Sequence, residues 1–129
     1  MEVDLPDVVA EVREVFERYE KTLVTSDVAA LNSMFRNDER TTRYGVGENL
    51  YGHNEVAAFR VARSPINLER TRDRVVITIC GRDFAVASTH FRRDSLPGKI
   101  GRQMQTWVRF SEGWPVVAAH VSIIEAPKS

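Results

Sequence analysis

Cysteine and long apolar runs are what this chain has least of. Its single cysteine, Cys80, cannot form an internal disulfide, which is typical of a reducing compartment. No apolar run approaches the roughly 20 residues that cross a bilayer. The opening residues, MEVDLPDVVAEVRE, are acidic and lack the basic start and apolar stretch of a signal peptide. We therefore expect a cytoplasmic protein that has no membrane partner.

An excess of charge of one sign is also missing. The 18 Lys and Arg balance the 18 Asp and Glu, and basic residues are scattered among acidic ones, so nucleic acid is not an expected partner. The basic residues are unevenly chosen, however, because 15 are Arg and 3 are Lys. Arginine binds planar carboxylates through two parallel hydrogen bonds. A small anionic ligand and ordinary surface ion pairing both explain this choice.

Sequence motifs for metals, nucleophiles and phosphates do not occur. The histidines His53, His90 and His120 are far apart and form no HxH or HExxH pair, and there is no CxxC. GxSxG, GxGxxG and GxxxxGK[ST] are absent as well, and Cys80 lies in an apolar strand pattern where a thiol usually serves packing. We expect no metal, no cofactor and no covalent intermediate.

Apolar spacing predicts helices in the first half of the chain. Apolar residues recur at steps of three and four, which predicts a helix over about residues 6–24. This stripe consists of Val8, Val12, Phe16, Tyr19 and Leu23. Ser26 is a good N-cap for a second short helix, and residues 40–46 predict a short strand. The segment YGHNEVAAFRVAR predicts a third helix that ends at Ser64 and Pro65.

The second half of the chain predicts strands. Four β-rich runs, RVVITIC, FAVASTHF, QMQTWVRF and VVAAHVSII, are separated by turn segments, which predicts an antiparallel meander. Helices followed by strands are typical of a single α+β domain, here residues 1–129, whose helices pack on one face of a curved antiparallel sheet. A pocket is expected between that face and the helices. Because the last run is apolar at both parities, we expect a homodimer through the other face.

Two polar residues fall on elements that should face the interior. Tyr19 lies on the apolar stripe of the first helix, so its hydroxyl needs a buried partner, and it is either an acid or a core residue. Arg43 lies in the short strand, where an inward guanidinium needs an anion from the protein or from a ligand.

Further candidates lie on the third helix and on the last two strands. Arg60 and Arg63 could reach the pocket rim, although a solvated surface is the preferred interpretation. One face of the third β-rich run is polar around an aromatic residue, and either face could line the pocket. His120 is either a ligand contact or a buried neutral histidine. The candidate substrate-binding residues are Arg63, Gln105, Trp107 and His120.

Two longer segments carry a specific similarity. RYGVGENLYGHNEVAAFRVAR and GRQMQTWVRFSEGWPVVAAHVS resemble the AtzH-like family, also called DUF3225, of the SnoaL/NTF2-like superfamily, over nearly the whole chain. The resemblance implies a cone-shaped NTF2-like, or cystatin-like, fold and a dimer. It also implies a catalytic pair, the tyrosine of the first helix and the arginine of the RYG motif, which are Tyr19 and Arg43 here.

The resemblance also implies a role in ureide and s-triazine breakdown. One branch of the family accompanies oxalurate catabolism, and the AtzH branch removes a carboxylate from 1,3-dicarboxyurea to give allophanate. We therefore expect a cofactor-free, amidohydrolase-type enzyme acting on a small anionic ureide or carbamate. Arg43 would hold a carboxylate, and Tyr19 would donate or relay a proton.

Two other functions stay open, because fold alone does not decide activity. The first is a non-catalytic accessory or ligand-binding dimer of an oxalurate or ureide pathway. The second is an isomerase or dehydratase acting on an uncharged ring. That chemistry would need a carboxylate base in the cavity, and no Asp or Glu is expected on the inward face of the meander.

Overall fold

The computed structural model describes residues 1–62 and 69–127. Three helices and six strands follow one another along the chain, and their order is α1 (Pro6–Val24), α2 (Val28–Ser33), β1 (Thr42–Tyr44), β2 (Asn49–Tyr51), α3 (His53–Ala62), β3 (Thr71–Cys80), β4 (Phe84–Arg92), β5 (Lys99–Val108) and β6 (Val116–Glu125). The candidate Arg63 and the predicted helix end at Ser64 and Pro65 lie outside the described residues. Within the described ranges, no helix is both long and apolar enough to cross a membrane.

The strands form one curved mixed sheet in the order β2-β1-β6-β5-β4-β3. β3 to β6 pair as antiparallel neighbours, as the sequence predicted. β1 runs parallel to β6, with Arg43 opposite Ala119, so the sheet is not antiparallel throughout. β2 was not predicted, because a run of three residues that begins with Asn carries little strand signal.

α1 lies on the inner face of the sheet because its apolar stripe is continuous. All five residues of the predicted stripe are buried. Their sheet partners in the core are mainly small or branched, and they are Ile79, Ala85, Ala87, Trp107 and Val116. Ala85 and Ala87 on β4 contribute small side chains to this core, whereas Trp107 on β5 contributes the largest.

The start of α2 differs by one residue from the prediction. The Asp27 side chain accepts a hydrogen bond from the Ala30 backbone N–H at 3.1 Å, so Asp27 is the N-cap. Ser26 has a φ of 57° and lies before the helix, so the prediction that Ser26 caps it is wrong. The chain needs that left-handed residue to turn sharply between α1 and α2.

Alternation along β5 separates an inner from an outer sheet face. Gln103, Gln105 and Trp107 are buried on the side of α1, whereas Met104 is exposed on the other side. His120 stands opposite Met104 in the β5–β6 ladder, so it shares the outer face. The polar set of β5 is therefore the set that faces the interior.

Candidate active site

Tyr19 stands at the centre of a polar cluster in the interior. The other members of this cluster are Glu20, Arg43, Glu48, Arg60, Arg70 and Gln103. Its ring centroid lies 6.2 Å from that of Phe35, and Trp107 meets it edge-on at 6.0 Å. Its hydroxyl accepts a hydrogen bond from Arg60 Nη2 at 3.3 Å. At 4% exposure, the tyrosine is a core residue by packing, yet its hydroxyl faces a cation.

The surroundings of Tyr19 favour its ionised form. Burial by itself raises the pKa of the phenol, since a charged oxygen is poorly solvated in the interior. The charges of Arg60 and Arg43, the hydrogen bond from Arg60 and the charge of Arg70 outweigh this effect. Together they hold the pKa of Tyr19 below its ordinary value. A phenol with a lowered pKa is a better proton donor near neutral pH than a free tyrosine.

Arg43 reaches the cluster from β1 and is held by Glu48. Its Nη1 donates to Glu48 Oε1 at 2.9 Å, and its guanidinium carbon lies 5.7 Å from the ring centroid of Phe59. A Cβ at Gly45 would overlap the Glu48 carboxylate. The glycine of the RYG motif therefore leaves the space in which this ion pair forms.

A second ion pair closes the other side of the cluster. Arg70 lies just before β3, and its Nε and Nη2 donate to the two carboxylate oxygens of Glu20 at 2.9 and 2.5 Å. The same Nη2 donates to Gln103 Oε1 at 3.2 Å, and the guanidinium carbon lies 4.6 Å from the Phe91 ring centroid. Both side chains are thereby fixed against the inner face of the sheet.

Arg60 is the third arginine of the cluster, and sequence reasoning misjudged it. The preferred interpretation put it on a solvated surface, but it is 2% exposed. Its guanidinium carbon lies 5.0 Å from the Phe35 ring centroid, next to Tyr19. A signal was present, because Arg60 follows the buried Val56 by four residues and so shares its helix face. Glu20 follows Phe16 by the same step.

Four of the predicted site residues lie in the same part of the interior, and they are Tyr19, Arg43, Gln105 and Trp107. Tyr19 and Trp107 are in contact, and Trp107 Nε1 donates to Gln105 Oε1 at 3.2 Å. Arg43 lies close enough for its charge to act on the Tyr19 hydroxyl.

His120 does not belong to this group. It is exposed on the outer face of the sheet, where its ring centroid lies 6.4 Å from that of Tyr44. The prediction that His120 binds substrate in the same pocket is therefore wrong, because side chains on opposite faces of a sheet cannot share a ligand.

Two cavities lie away from the cluster. A groove of about 920 Å³ runs between α1, α2 and the β5–β6 turn, with Arg18, Arg36 and Trp114 among its lining residues. A shallow depression of about 210 Å³ on the outer sheet face is lined in part by Met104 and His120. Tyr19 is not among the lining residues of either cavity. In residues 1–62 and 69–127, no three His, Cys, Asp or Glu side chains are grouped as metal ligands.

Comparison with known proteins identifies the fold. The family described as AtzH-like matches residues 1–127. A DUF3225-family protein of unknown function from Pectobacterium atrosepticum is 54% identical, with 95% of each chain covered and a TM-score of 0.92. A cystatin-like fold protein from Burkholderia xenovorans is 45% identical, with 98% of this chain and 99% of that chain covered and a TM-score of 0.94.

A more distant structure shares the same architecture. An NTF2-like protein of unknown function from Pseudomonas putida is 15% identical, with 88% of this chain and 84% of that chain covered and a TM-score of 0.73. The comparison with curated proteins gave no match. The three solved structures establish the NTF2-like, cystatin-like fold that the sequence segments implied.

Proposed function

Because the chain belongs to the AtzH-like family, we propose that it is a cofactor-free hydrolase that removes a carboxylate from a small carboxylated urea such as 1,3-dicarboxyurea. The observation that carries this proposal is the buried Tyr19 hydroxyl, which accepts a hydrogen bond from one arginine and lies in the field of two more. Such an interior suits an anionic substrate that needs a proton. The single cysteine supports a cytoplasmic setting. The proposed place in nitrogen catabolism follows from the family resemblance.

The proposed step is the loss of an N-carboxylate. The bond between the urea nitrogen and the carboxylate carbon breaks, its electron pair stays on nitrogen, and carbon dioxide leaves. The nitrogen takes the Tyr19 proton, and the tyrosinate regains a proton from water. Hydration of the carbon dioxide to bicarbonate completes the hydrolysis. Arginine charges near Tyr19 stabilise the tyrosinate that forms, which lowers the barrier to proton transfer.

Arg43 is the proposed carboxylate-binding residue. A guanidinium has five N–H donors, and the bond to Glu48 uses one of them at 2.9 Å. The remaining donors suit a carboxylate, and Glu48 keeps the guanidinium oriented when the site is empty.

A ring isomerase or dehydratase is less well supported. Such an enzyme needs a free carboxylate base, and the sequence offered none on the meander. Glu20 supplies a buried carboxylate from α1 instead, but Arg70 engages both of its oxygens. With both oxygens engaged by Arg70, this carboxylate is not free to take a proton from a substrate.

Turnover and binding together test the proposal. Carbon dioxide release from freshly prepared 1,3-dicarboxyurea is measured with the wild type, Tyr19→Phe and Arg43→Ala. We expect Tyr19→Phe to lose turnover at least 100-fold while it still binds malonate in a calorimetric titration. Arg43→Ala should weaken malonate binding. Wild-type turnover in a Tyr19→Phe, Arg43→Ala double variant would contradict both roles. Binding without turnover in the wild type would favour the accessory-protein function.

We propose further that the outer sheet face forms a homodimer. Large apolar side chains are exposed there on all six described strands, and they are Tyr44, Tyr51, Val76, Phe84, Val86, Met104 and Ile124. The ladder registers put Val86, Met104 and their neighbours on one continuous surface. Exposed apolar patches of this kind mark interaction sites. Light scattering should give a dimeric mass that falls to a monomeric one in Met104→Glu, and a monomeric wild type would refute this.

A further inference from the structure

The positive charge of Arg60 has no carboxylate counter-charge among the residues that the structure describes. The other two arginines of the cluster are each paired, Arg43 with Glu48 and Arg70 with Glu20. Within residues 1–62 and 69–127, no acidic side chain forms an ion pair with Arg60. The remaining segments, RSPINL at 63–68 and KS at 128–129, contain no Asp or Glu. Counted over the described residues, the cluster therefore carries one positive charge more than its carboxylates neutralise.

Two buried hydrogen-bond donors of the cluster are unused. Arg60 Nε and Gln103 Nε2 have no acceptor among the described residues, although the Gln103 carbonyl oxygen accepts from Arg70. Buried donors are nearly always satisfied in folded proteins, since an unmade bond costs the desolvation of the group. An unpaired buried cation costs more still. Both features call for an acceptor that carries negative charge.

We propose that Arg60 is the principal anchor for the anionic group of the ligand, with the Gln103 amide as a second donor. This inference rests on the proposed function, in which the interior receives a small carboxylated ligand. It differs from the role proposed for Arg43, because it assigns the main charged contact with the ligand to α3 rather than to β1. Arg43 already has a carboxylate at 2.9 Å, whereas Arg60 offers its Nε and its full charge to the ligand.

Replacing Arg60 distinguishes a role in ligand binding from a role in folding. Arg60→Met replaces the charged side chain with a long apolar one. The change removes an unpaired buried charge, which stabilises, and the donor to the Tyr19 hydroxyl, which destabilises, so the melting temperature is measured first to show that the variant is folded. Malonate binding, measured by calorimetry, should weaken at least tenfold, because a charge-assisted hydrogen bond is lost. Malonamide, which is uncharged and of similar size, should bind both proteins equally weakly.

A second measurement does not depend on the folding of an Arg60 variant. Malonate bound at Arg60 neutralises the cation that favours the tyrosinate, so it should move the alkaline midpoint of tyrosinate absorbance to higher pH. Tyr19→Phe identifies the signal. Arg82→Met, which removes an arginine from the exposed β3–β4 turn, is the matched control and should change neither malonate binding nor the midpoint.

The outcomes distinguish this inference from the proposed function. Malonate binding in Arg60→Met within twofold of the wild type, or an unmoved midpoint under saturating malonate, overturns the role of Arg60 and leaves turnover to be judged separately. Arg60-dependent malonate binding with no release of carbon dioxide supports the anchor and overturns the proposed hydrolase. No malonate binding to the wild type overturns the anchor.

Discussion

Replacing Glu20 with glutamine should destabilise the fold strongly, because it leaves a buried guanidinium without its counter-charge. The Arg70 side chain is 1% exposed and that of Glu20 is 12% exposed. After the change, Arg70 would keep only neutral partners, which are the new amide oxygen at position 20, the Gln103 carbonyl oxygen at 3.2 Å and the face of Phe91 at 4.6 Å. None of them neutralises the full charge of a guanidinium that is 1% exposed.

The size of the loss follows from this geometry. Removing one partner of a buried ion pair costs about 3–5 kcal/mol, against a total stability of about 5–15 kcal/mol for an ordinary domain. Replacing both partners with apolar side chains, as in Glu20→Met with Arg70→Met, should restore most of the loss. Buried ion pairs often contribute little more than a well-packed apolar pair.

Urea unfolding followed by tryptophan fluorescence measures the effect, since Trp107 lies in the core beside the cluster. The matched control is Glu17→Gln one turn earlier in α1. Glu17 binds Arg72 at 2.8 Å but is 48% exposed, so its loss should cost about 0–1 kcal/mol. A loss for Glu20→Gln no larger than that of Glu17→Gln would refute the reasoning.

Three further changes should have smaller effects. The pKa of Tyr19 is lowered in the folded state, so between that pKa and about 10 the unfolded chain binds more protons than the folded one. The contribution of Tyr19 to the free energy of unfolding should therefore rise with pH in this range. Urea midpoints measured at alkaline pH should show the rise in the wild type and not in Tyr19→Phe. Gly45→Ala should displace Glu48 and cost about 1–3 kcal/mol in thermal unfolding, whereas Gly47→Ala, which meets no atom within 4 Å, should be nearly neutral. Asp27→Ala should cost about 1 kcal/mol by loss of the α2 cap, and an unchanged melting temperature would contradict that capping role.

The helical half of the fold could be predicted because its apolar spacing is unambiguous. A stripe with steps of three and four gave the bounds of α1 and put Tyr19 in the core. The same rule would have found Arg60 and Glu20, which lie four residues after buried apolar side chains. Charged side chains are so rarely buried that their place on the buried face was set aside.

The sheet was less predictable because alternation does not say which face is inside. β6 is apolar at both parities, so nothing local placed His120 outward. The β5–β6 ladder also shifts register between the pairs Thr106–Ala118 and Trp107–Val116, so the parity of β6 that faces the core changes there. Pairing of β1 with β6 depends on contacts between distant parts of the chain, and the sequence pattern carries no signal for them.

The parallel pairing of β1 with β6 has a consequence for how the protein is made. Arg43 lies on β1, and its parallel neighbour β6 is the last of the described strands to leave the ribosome. During synthesis, α1 and Tyr19 emerge early, but β1 has no place in the sheet until β6 has paired with β5. Such long-range pairing is the slow part of folding. A nascent or truncated chain that stops before Val116 would thus possess the tyrosine without the positioned arginine, and the polar cluster is completed only once β6 is present.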